Sequence, residues 1–371
     1  MARGTAPFSS TALRDIRRHR PVDGQLLSAA EVARRLGTSK SRVLAYEKGT
    51  SIPEAGRIEQ LAKVFGVAPR HLCAAPADLE HGIRHLRATA GLTTAEVADF
   101  LGISRTTYRE LELSAKLPSR HDGMLPLLLA RAFSVHVRTV HRALTSHPQA
   151  VLRRGEIAQL LNALFGRAHE RFTPPAVHTD EPELLRIAEL LRRPVGMTAR
   201  LVTHELARLR NDLKERALAE ANAAYAQTDE DMEHALARVK FLTERIDRAP
   251  ADTAARLVRF LSEAMPSRQW RLTVGLLSGE SVPEQRALHL AEPEVWRGLL
   301  TRGLAVRERS PDSATDSFTL SPGGMARALN EARLYACLYP RVPTPSRSTR
   351  AQVRQRLLAR GAPMRTPRRR Y

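Results

Sequence analysis

Two short runs of basic and hydroxyl side chains offer the chemistry of an anion-binding surface. They comprise Ser39, Lys40, Ser41 and Arg42 in one run, and Ser104, Arg105, Thr106, Thr107 and Arg109 in the other. Ammonium, guanidinium and hydroxyl groups donate hydrogen bonds to phosphate oxygens and to the edges of bases. Two further cations, Arg307 and Arg309, lie on a predicted strand and can contact a phosphate backbone. These residue types are therefore suited to binding an anionic partner.

The two runs occupy equivalent places in an internal repeat. Residues 31–53 read EVARRLGTSKSRVLAYEKGTSIP, and residues 96–118 read EVADFLGISRTTYRELELSAKLP. A three-residue insertion follows, and then LAKVFGV at 61–67 matches LARAFSV at 129–135. Agreement that is interrupted once, at a loop, indicates duplication rather than shared composition.

Each copy has the pattern of two short helices joined by a turn. Ser28 is placed to cap a first helix that ends at Gly37, and Ser39 is placed to cap the second. In the second helix Val43 and Tyr46 face inward, which leaves residues 40–42 facing solvent. The second copy repeats this pattern with Thr93 or Thr94, Gly102 and Ser104. The second helix of such a pair can enter the major groove and present its N-terminal residues to bases.

Both copies resemble the Cro/phage-repressor type of helix-turn-helix domain, also called the xenobiotic-response-element family. The shared pattern is an apolar residue and Ala, then Leu-Gly-x-Ser, then a Glu eight residues after that Ser, and a loop to Pro. The resemblance implies a five-helix bundle over 12–75 and another over 80–147. It also implies base contacts from Lys40, Ser41 and Arg42 and from Arg105, Thr106, Thr107 and Arg109.

Some positions depart from the family pattern. Family members usually carry Gln where this chain has Ala29 and Thr94, and the second copy has Leu113-Ser114 after Glu112 in place of the usual Gly. The second copy is therefore either a weaker reader of DNA or a structural partner of the first.

Length and charge agree with a multidomain protein that has an anionic partner. The chain has 371 residues, 43% of them hydrophobic, and a formal net charge of +20. The length exceeds that of one ordinary core, and the charge favours nucleic acid or an acidic membrane surface. No stretch approaches 18 uninterrupted apolar residues and no amphipathic face favours a membrane, so we expect a cytoplasmic, nucleoid-associated protein with double-stranded DNA as its partner.

Residues 150–247 are predicted to be helical. Two long amphipathic helices, joined at 227–229, form a predicted antiparallel hairpin, with Val202, Leu206 and Leu209 on one stripe and Met232, Leu236 and Leu242 on the other. Such a hairpin has little core of its own. It either packs within the chain or forms a homodimer through 197–247.

Residues 251–338 have a different pattern, ending in two strands around a polar turn and a helix from Pro322. The run LLTRGLAVRER…FTLSPGGMARAL resembles the second half of a winged helix of the multiple-antibiotic-resistance regulator type. The presumed recognition helix begins with Glu292 and Glu294, which repel phosphate. This domain contacts either protein or DNA, the latter through Arg307 and Arg309, and Trp296 is expected in its core.

The C-terminal segment, 339–371, is expected to be a basic disordered tail. From 341 onward it holds ten Arg and no acidic residue, with four prolines. Its role is either sequence-independent attraction to phosphate or simply solubility.

We found no pattern for catalysis or for a cofactor. The P-loop, GxSxG and HExxH motifs are missing, and Cys73 and Cys337 are too isolated for a disulfide framework. His81 and His85 stand four residues apart near Cys73, but a surface pair explains them better than a metal site does.

The sequence therefore predicts a mainly α protein: two tandem five-helix helix-turn-helix bundles, a helical middle region, a winged-helix-like domain with a small β-wing, and a basic tail. The predicted function is a sequence-specific DNA-binding transcriptional regulator, acting as a repressor. The alternatives are a DNA-maintenance protein, for replication, partition or architecture, and a protein-interaction scaffold built from the same modules.

Overall fold

A computed structural model describes residues 8–73, 82–118, 123–173, 176–278, 281–309 and 316–359. The chain divides into two compact units, which are described separately. One comprises residues 1–121 and 125–153, and the other comprises residues 122–124 and 154–371. The described residues form nineteen α-helices and one three-stranded antiparallel sheet. The predicted fold class, mainly α with a small β-wing, is confirmed.

The first copy of the repeat forms a helical bundle at the start of the first unit. Its elements are α1 (Ser10–His19), α2 (Ala29–Arg35), α3 (Lys40–Lys48), α4 (Ala55–Phe65) and a 3-10 helix (Pro69–Leu72). Leu13, Val32, Val43, Ile58 and Leu61 are fully buried at its centre. The fifth element is one 3-10 turn rather than an α-helix, because Cys73 leaves it in extended form to pair with Phe8.

The helix caps of α2 and α3 are those that the sequence predicts. Ser28 Oγ accepts a hydrogen bond from the Glu31 N–H at 3.1 Å, and Ser39 Oγ accepts one from the Arg42 N–H at 3.2 Å. Gly37 has φ +62°, a left-handed conformation that glycine adopts without strain. These features fix the turn between α2 and α3.

The second copy forms five helices. They are α5 (Ile83–Thr89), α6 (Thr94–Leu101), α7 (Arg105–Ser114), α8 (Leu125–Ala132) and α9 (Val137–Ser146). Thr93 is the cap of α6, and the Thr93 N–H donates a hydrogen bond to the Glu96 carboxylate at 2.7 Å, which completes a capping box. These hydrogen bonds hold the pKa of Glu96 below its ordinary value.

The two bundles pack against each other within the first unit. Ala88 of α5 is buried in the core of the first bundle. Gly91, just after α5, has φ +76°, and a Cβ at this position would lie 2.9 Å from Glu59 Cβ and 3.3 Å from Pro69 Cγ. Only a residue without a side chain fits so close an approach, so Gly91 is a fixed point of the contact between the bundles.

We predict that Gly91→Ala destabilises the first unit more than Gly24→Ala does. Both positions have a left-handed φ, but nothing lies within 4 Å of a Cβ at Gly24. Gly24→Ala therefore costs only backbone strain, ~1 kcal/mol, and Gly91→Ala adds a steric cost of similar size. Chemical denaturation followed by circular dichroism measures both, and equal midpoints would contradict the close packing.

The second unit begins with a helical region that includes the predicted hairpin. Its helices are α10 (Pro148–Phe165), of which residues 148–153 belong to the first unit, α11 (Pro182–Leu191), α12 (Val195–Ala224), α13 (Asp229–Asp247) and α14 (Ala249–Glu263). The hairpin pairs α12 with α13, and Glu215 forms an ion pair with Arg238 across it at 2.7 Å. Asp212 also pairs across it, with Arg245, rather than with Arg216 four residues away on its own helix.

The two ends of the hairpin differ in burial. At its root Val202, Leu206 and Leu209 of α12 are buried in a core that also holds Leu161 and Ile187. Toward the connection between the helices, the large apolar residues are exposed: Leu218 by 61%, Tyr225 by 86% and Leu236 by 52%. The root of the hairpin thus packs within the chain, which is one of the two alternatives that the sequence left open. The apolar residues of its free end remain exposed among the described residues.

A compact α/β region follows the hairpin. It contains α15 (Ser267–Gly275), a 3-10 helix (Leu276–Ser278), β1 (Val282–Pro283), α16 (Glu284–Leu290), α17 (Pro293–Thr301), β2 (Ala305–Arg309), β3 (Asp316–Leu320) and α18 (Pro322–Leu338). The sheet has the order β1-β3-β2. In the central strand β3, Phe318 lies opposite Val282 of β1 on one side and opposite Arg307 of β2 on the other. The sequence missed β1 because two residues are too few to show alternation. Trp296 is in the core, as expected, and donates its indole N–H to Ala287 O at 2.8 Å.

The expectation of a disordered tail is wrong for residues 347–359. They form α19 (Arg347–Ala359), and its Val353 and Leu357 are fully buried in the core that includes Trp270 and Tyr335. One apolar pair spaced by four residues is enough to dock a helix whose other faces are basic. Residues 360–371 lie outside the described residues. Among the described helices, none has the length and apolar content needed to cross a lipid bilayer.

Candidate nucleic-acid interface

Helix α3 presents one polar face to solvent and buries the other. Lys40, Ser41 and Arg42 are exposed, whereas Val43 is fully buried and Tyr46 is 5% exposed. Helices α2 and α3 pack on each other across the turn at Gly37. The predicted contact residues of the first copy therefore lie together at the N-terminal end of an exposed helix face.

A buried ion pair locks the other face of α3 to α1. Glu47 is 4% exposed and accepts two hydrogen bonds from the Arg17 guanidinium, at 2.5 and 2.9 Å. The Arg14 guanidinium donates to the Glu47 carbonyl oxygen. Hydrogen bonding to Glu47 raises the pKa of Arg17 against the opposing effect of its burial. The bidentate geometry fixes the rotation of α3 about its own axis, and hence which residues face solvent.

The second bundle repeats this ion pair. Arg87 of α5 bonds Glu112 of α7 at 2.6 Å, and the Tyr108 hydroxyl donates to the same carboxylate at 2.9 Å. Burial, followed in size by the Glu112 charge, raises the pKa of Tyr108. Sequence reasoning aligned Glu47 with Glu112 but assigned neither a role nor a partner. The signal that it missed is the arginine on the first helix of each copy, Arg17 on α1 and Arg87 on α5.

The individual side chains at the start of α3 have distinct settings. Ser39 Oγ is engaged in capping and also lies 2.9 Å from Ser41 Oγ. The Arg42 guanidinium lies over the Tyr46 ring, 5.9 Å from its centroid, and its Nε donates weakly to the Tyr46 hydroxyl at 3.4 Å. Arg42 is thus oriented by a buried aromatic side chain, whereas the Ser39 hydroxyl caps the N-terminus of α3.

In the second copy, α7 holds four of the five predicted residues at an exposed surface. Ser104 caps the helix, and Arg105, Thr106 and Arg109 are exposed. Thr107 is half-buried, and its hydroxyl lies 2.9 Å from Ser104 Oγ. We therefore keep Arg105, Thr106 and Arg109 as the residues that can reach a partner directly.

The exposed faces of the two copies differ in charge. Arg34, Arg35 and Lys48 of the first copy stand where the second has Asp99, Phe100 and Leu113. Phe100 is 55% exposed and Leu113 is 72% exposed. At these positions the second face has one carboxylate and two apolar side chains in place of three cations, and its attraction to phosphate is therefore weaker.

The two wing arginines also differ. Arg307 forms ion pairs with Glu284 at 2.7 Å and Asp316 at 2.6 Å, and it stacks on Phe318. Arg309 is exposed at the end of β2, before residues 310–315, which lie outside the described residues. Two carboxylates compete with any phosphate for Arg307, so Arg309 is the better placed of the two.

In the described parts of the chain, no group of three or more His, Cys, Asp or Glu side chains is arranged to hold a metal ion. His81 lies outside the described residues. Burial raises the pKa of the Cys73 thiol to about 11, so this thiol stays protonated and unreactive at neutral pH.

Comparison with known proteins bears on the first bundle. Residues 24–72 match the helix-turn-helix family model. A 58-residue stretch is 43% identical to the cryptic phage CTXphi transcriptional repressor RstR of Vibrio cholerae, over 16% of this chain and 48% of the repressor. The chain thus spans about half the length of this curated relative. No solved structure matches the chain significantly.

We predict that Glu47→Ala unfolds the first bundle far more readily than Glu31→Ala. Removing Glu47 leaves the Arg17 guanidinium, 16% exposed, without its counter-charge, at a cost of ~3 kcal/mol or more. Glu31 pairs with Arg34 and Arg35 in water, where its loss is screened. Thermal and chemical denaturation of both variants test this, and similar stabilities would show that the ion pair does not fix α3.

Proposed function

We propose that this chain is a sequence-specific, double-stranded-DNA-binding transcriptional regulator that represses by occupying a promoter. The observation that carries the proposal is the exposure of Lys40, Ser41 and Arg42 on a helix whose opposite face is fixed by a buried ion pair. The match of residues 24–72 to the helix-turn-helix family and the similarity to a phage transcriptional repressor support it.

The reading helix in this proposal is α3. Its N-terminal residues meet base edges in the major groove, where a good bidentate contact contributes ~1–3 kcal/mol of discrimination. Arg42 is the best candidate for such a contact, since Tyr46 orients its guanidinium. Lys48 is a cation close in sequence to this face and supplies a contact to phosphate; Arg34 and Arg35 supply further contacts in competition with Glu31.

The second bundle acts in this proposal as a helix-turn-helix module with a lesser share of base reading. Arg105 and Arg109 can bind phosphate, but Asp99, Phe100 and Leu113 replace the cations of the first copy. Because the two bundles pack together in one unit, one chain covers a longer site than one bundle can. The basic face of α19, with Arg347 and Arg354 exposed, adds sequence-independent attraction.

The free end of the hairpin supplies an oligomerisation surface in the same proposal, with a second copy of this chain as the partner. Exposed acidic residues Asp229, Glu230, Asp231 and Glu233 lie at this end. Exposed Lys214 and Lys240 adjoin the Glu215–Arg238 pair in the sequence, and this pair places them at a similar level of the hairpin, about 20 Å back along the helices. Antiparallel association of two hairpins brings the acidic end of each onto the lysines of the other and covers the exposed apolar residues.

We predict that Arg42→Ala relaxes sequence preference, whereas Arg354→Gln weakens binding to all sequences alike. Each variant removes one positive charge, so Arg354→Gln is the matched control for charge alone. Arg42→Ala should lose ~1–3 kcal/mol of discrimination between bases at one position of the site. Arg354→Gln should mainly reduce the dependence of the DNA affinity on salt concentration.

Unbiased binding-site selection with the full-length protein, followed by affinity measurements at several salt concentrations, tests both variants. Equal losses on every sequence would contradict base reading by α3. No affinity for any duplex at 100 mM salt would overturn the proposed function and favour a protein-interaction scaffold. A broad coating of the genome in footprinting would favour DNA maintenance over regulation.

We predict that Leu218→Glu or Leu236→Glu shifts the protein from dimer to monomer. A carboxylate in a buried interface costs several kcal/mol, enough to weaken the dimer by a factor of 100 or more. Ala221→Glu adds the same charge at an exposed position of α12 but removes no large apolar side chain. Sedimentation velocity over a range of concentrations measures the change, and a wild-type protein that stays monomeric would contradict the interface.

A further inference from the structure

A cleft in the second unit combines uncompensated cations with an apolar floor. It lies between α15, β1, α16 and the start of α17 and has a volume of about 870 Å³. Arg268 and Arg271 come from α15, and Arg286 and His289 come from α16. None of these residues belongs to the surfaces proposed to contact DNA or a second copy.

The positive charge of the cleft is only partly balanced. Arg268 forms an ion pair with Glu292 at 2.6 Å. Arg271 and Arg286 are exposed, and in the described part of the chain neither has an ion pair. Arg271 comes from α15 and Arg286 from α16, and their guanidinium groups leave two positive charges at the cleft.

The floor of the cleft is apolar. Leu272, Val282 and Val295 line it, and each is less than 10% exposed. Leu290, at the cleft, is 52% exposed. A ligand that covers this floor gains from the burial of its own apolar surface, which a bare inorganic anion does not do.

We propose that this cleft is a binding site for a small organic phosphate monoester with an apolar or aromatic body. The dianionic phosphate matches the two uncompensated guanidinium groups, which bind phosphate in bidentate fashion. A monocarboxylate would leave one of them without a counter-charge. A concave, apolar-floored cavity suits a small molecule better than it suits the backbone of a duplex.

Binding of this ligand does not depend on the proposed function, whereas a role for it as an effector of DNA binding does. The cleft includes Glu292, Pro293 and Val295, at the beginning of α17. A ligand in the cleft therefore contacts the N-terminal end of the helix that the sequence likened to a recognition helix. Measuring ligand binding directly, without DNA, separates the two questions.

The test is calorimetric titration of the full-length protein with phenyl phosphate, inorganic phosphate and benzoate. We expect phenyl phosphate to bind about tenfold more tightly than inorganic phosphate, because the ring covers the apolar floor. Arg271→Gln and Arg286→Gln should each weaken phenyl phosphate binding at least about tenfold. Arg297→Gln, an exposed arginine of α17 outside the cleft, is the matched control and should leave the affinity unchanged.

Four outcomes would overturn the site. Equal affinity for phenyl and inorganic phosphate, or an equal loss in the Arg297→Gln control, would show diffuse attraction to a basic protein. Benzoate binding as tightly as phenyl phosphate would contradict the dianionic ligand. Loss of DNA affinity in Arg271→Gln and Arg286→Gln without any binding of phenyl phosphate would assign the cleft to a DNA backbone. Unchanged thermal midpoints in these variants show that the fold is intact.

Discussion

The buried ion pair between Arg17 and Glu47 is the interaction on which the candidate DNA-binding surface depends. A charged pair so far from water is stable only if its geometry is close to ideal, and the two hydrogen bonds at 2.5 and 2.9 Å meet that condition. Such a pair contributes orientation more than net stability. It joins α1 to the end of α3 and thereby determines that Lys40, Ser41 and Arg42 face solvent. The apolar contacts of Val43 and Tyr46 alone leave more freedom of rotation.

The two bundles share this frame and differ in the residues that they expose. Arg87 and Glu112 reproduce the ion pair, and Tyr108 adds a third hydrogen-bonded group. At the exposed positions, by contrast, the second copy has Asp99, Phe100 and Leu113 where the first copy has cations. Interior positions are constrained by packing and by the cost of an unpaired buried charge, whereas exposed positions are free to diverge. The two copies are therefore similar as folds and different as surfaces, and this difference supports an unequal division of labour in binding.

Charge is distributed unevenly over the second unit as well. The hairpin ends in four exposed acidic residues, α17 begins with Glu292 and Glu294, and the cleft beside α17 and the outer face of α19 are basic. A net charge of +20 by itself indicates only attraction to polyanions. Its division into separate basic and acidic surfaces is the basis on which we propose different partners: a duplex, a second copy and a small anion.

The amino-acid sequence by itself determined the repeat, the helix–turn–helix pattern with its caps, the hairpin and the mainly helical class. These features follow from periodicity, capping residues and glycine positions, which act over a few residues. Only the tertiary structure decided the partner of Glu47, the pairing of Arg307 with two carboxylates, the packing of Gly91 on Glu59, the docking of α19 and the cleft around Arg271. Each of these joins residues far apart in the chain or depends on which side of an element is covered. Local pattern carries no information about such contacts, because they are selected by the shape and charge of surfaces that exist only after the chain has folded.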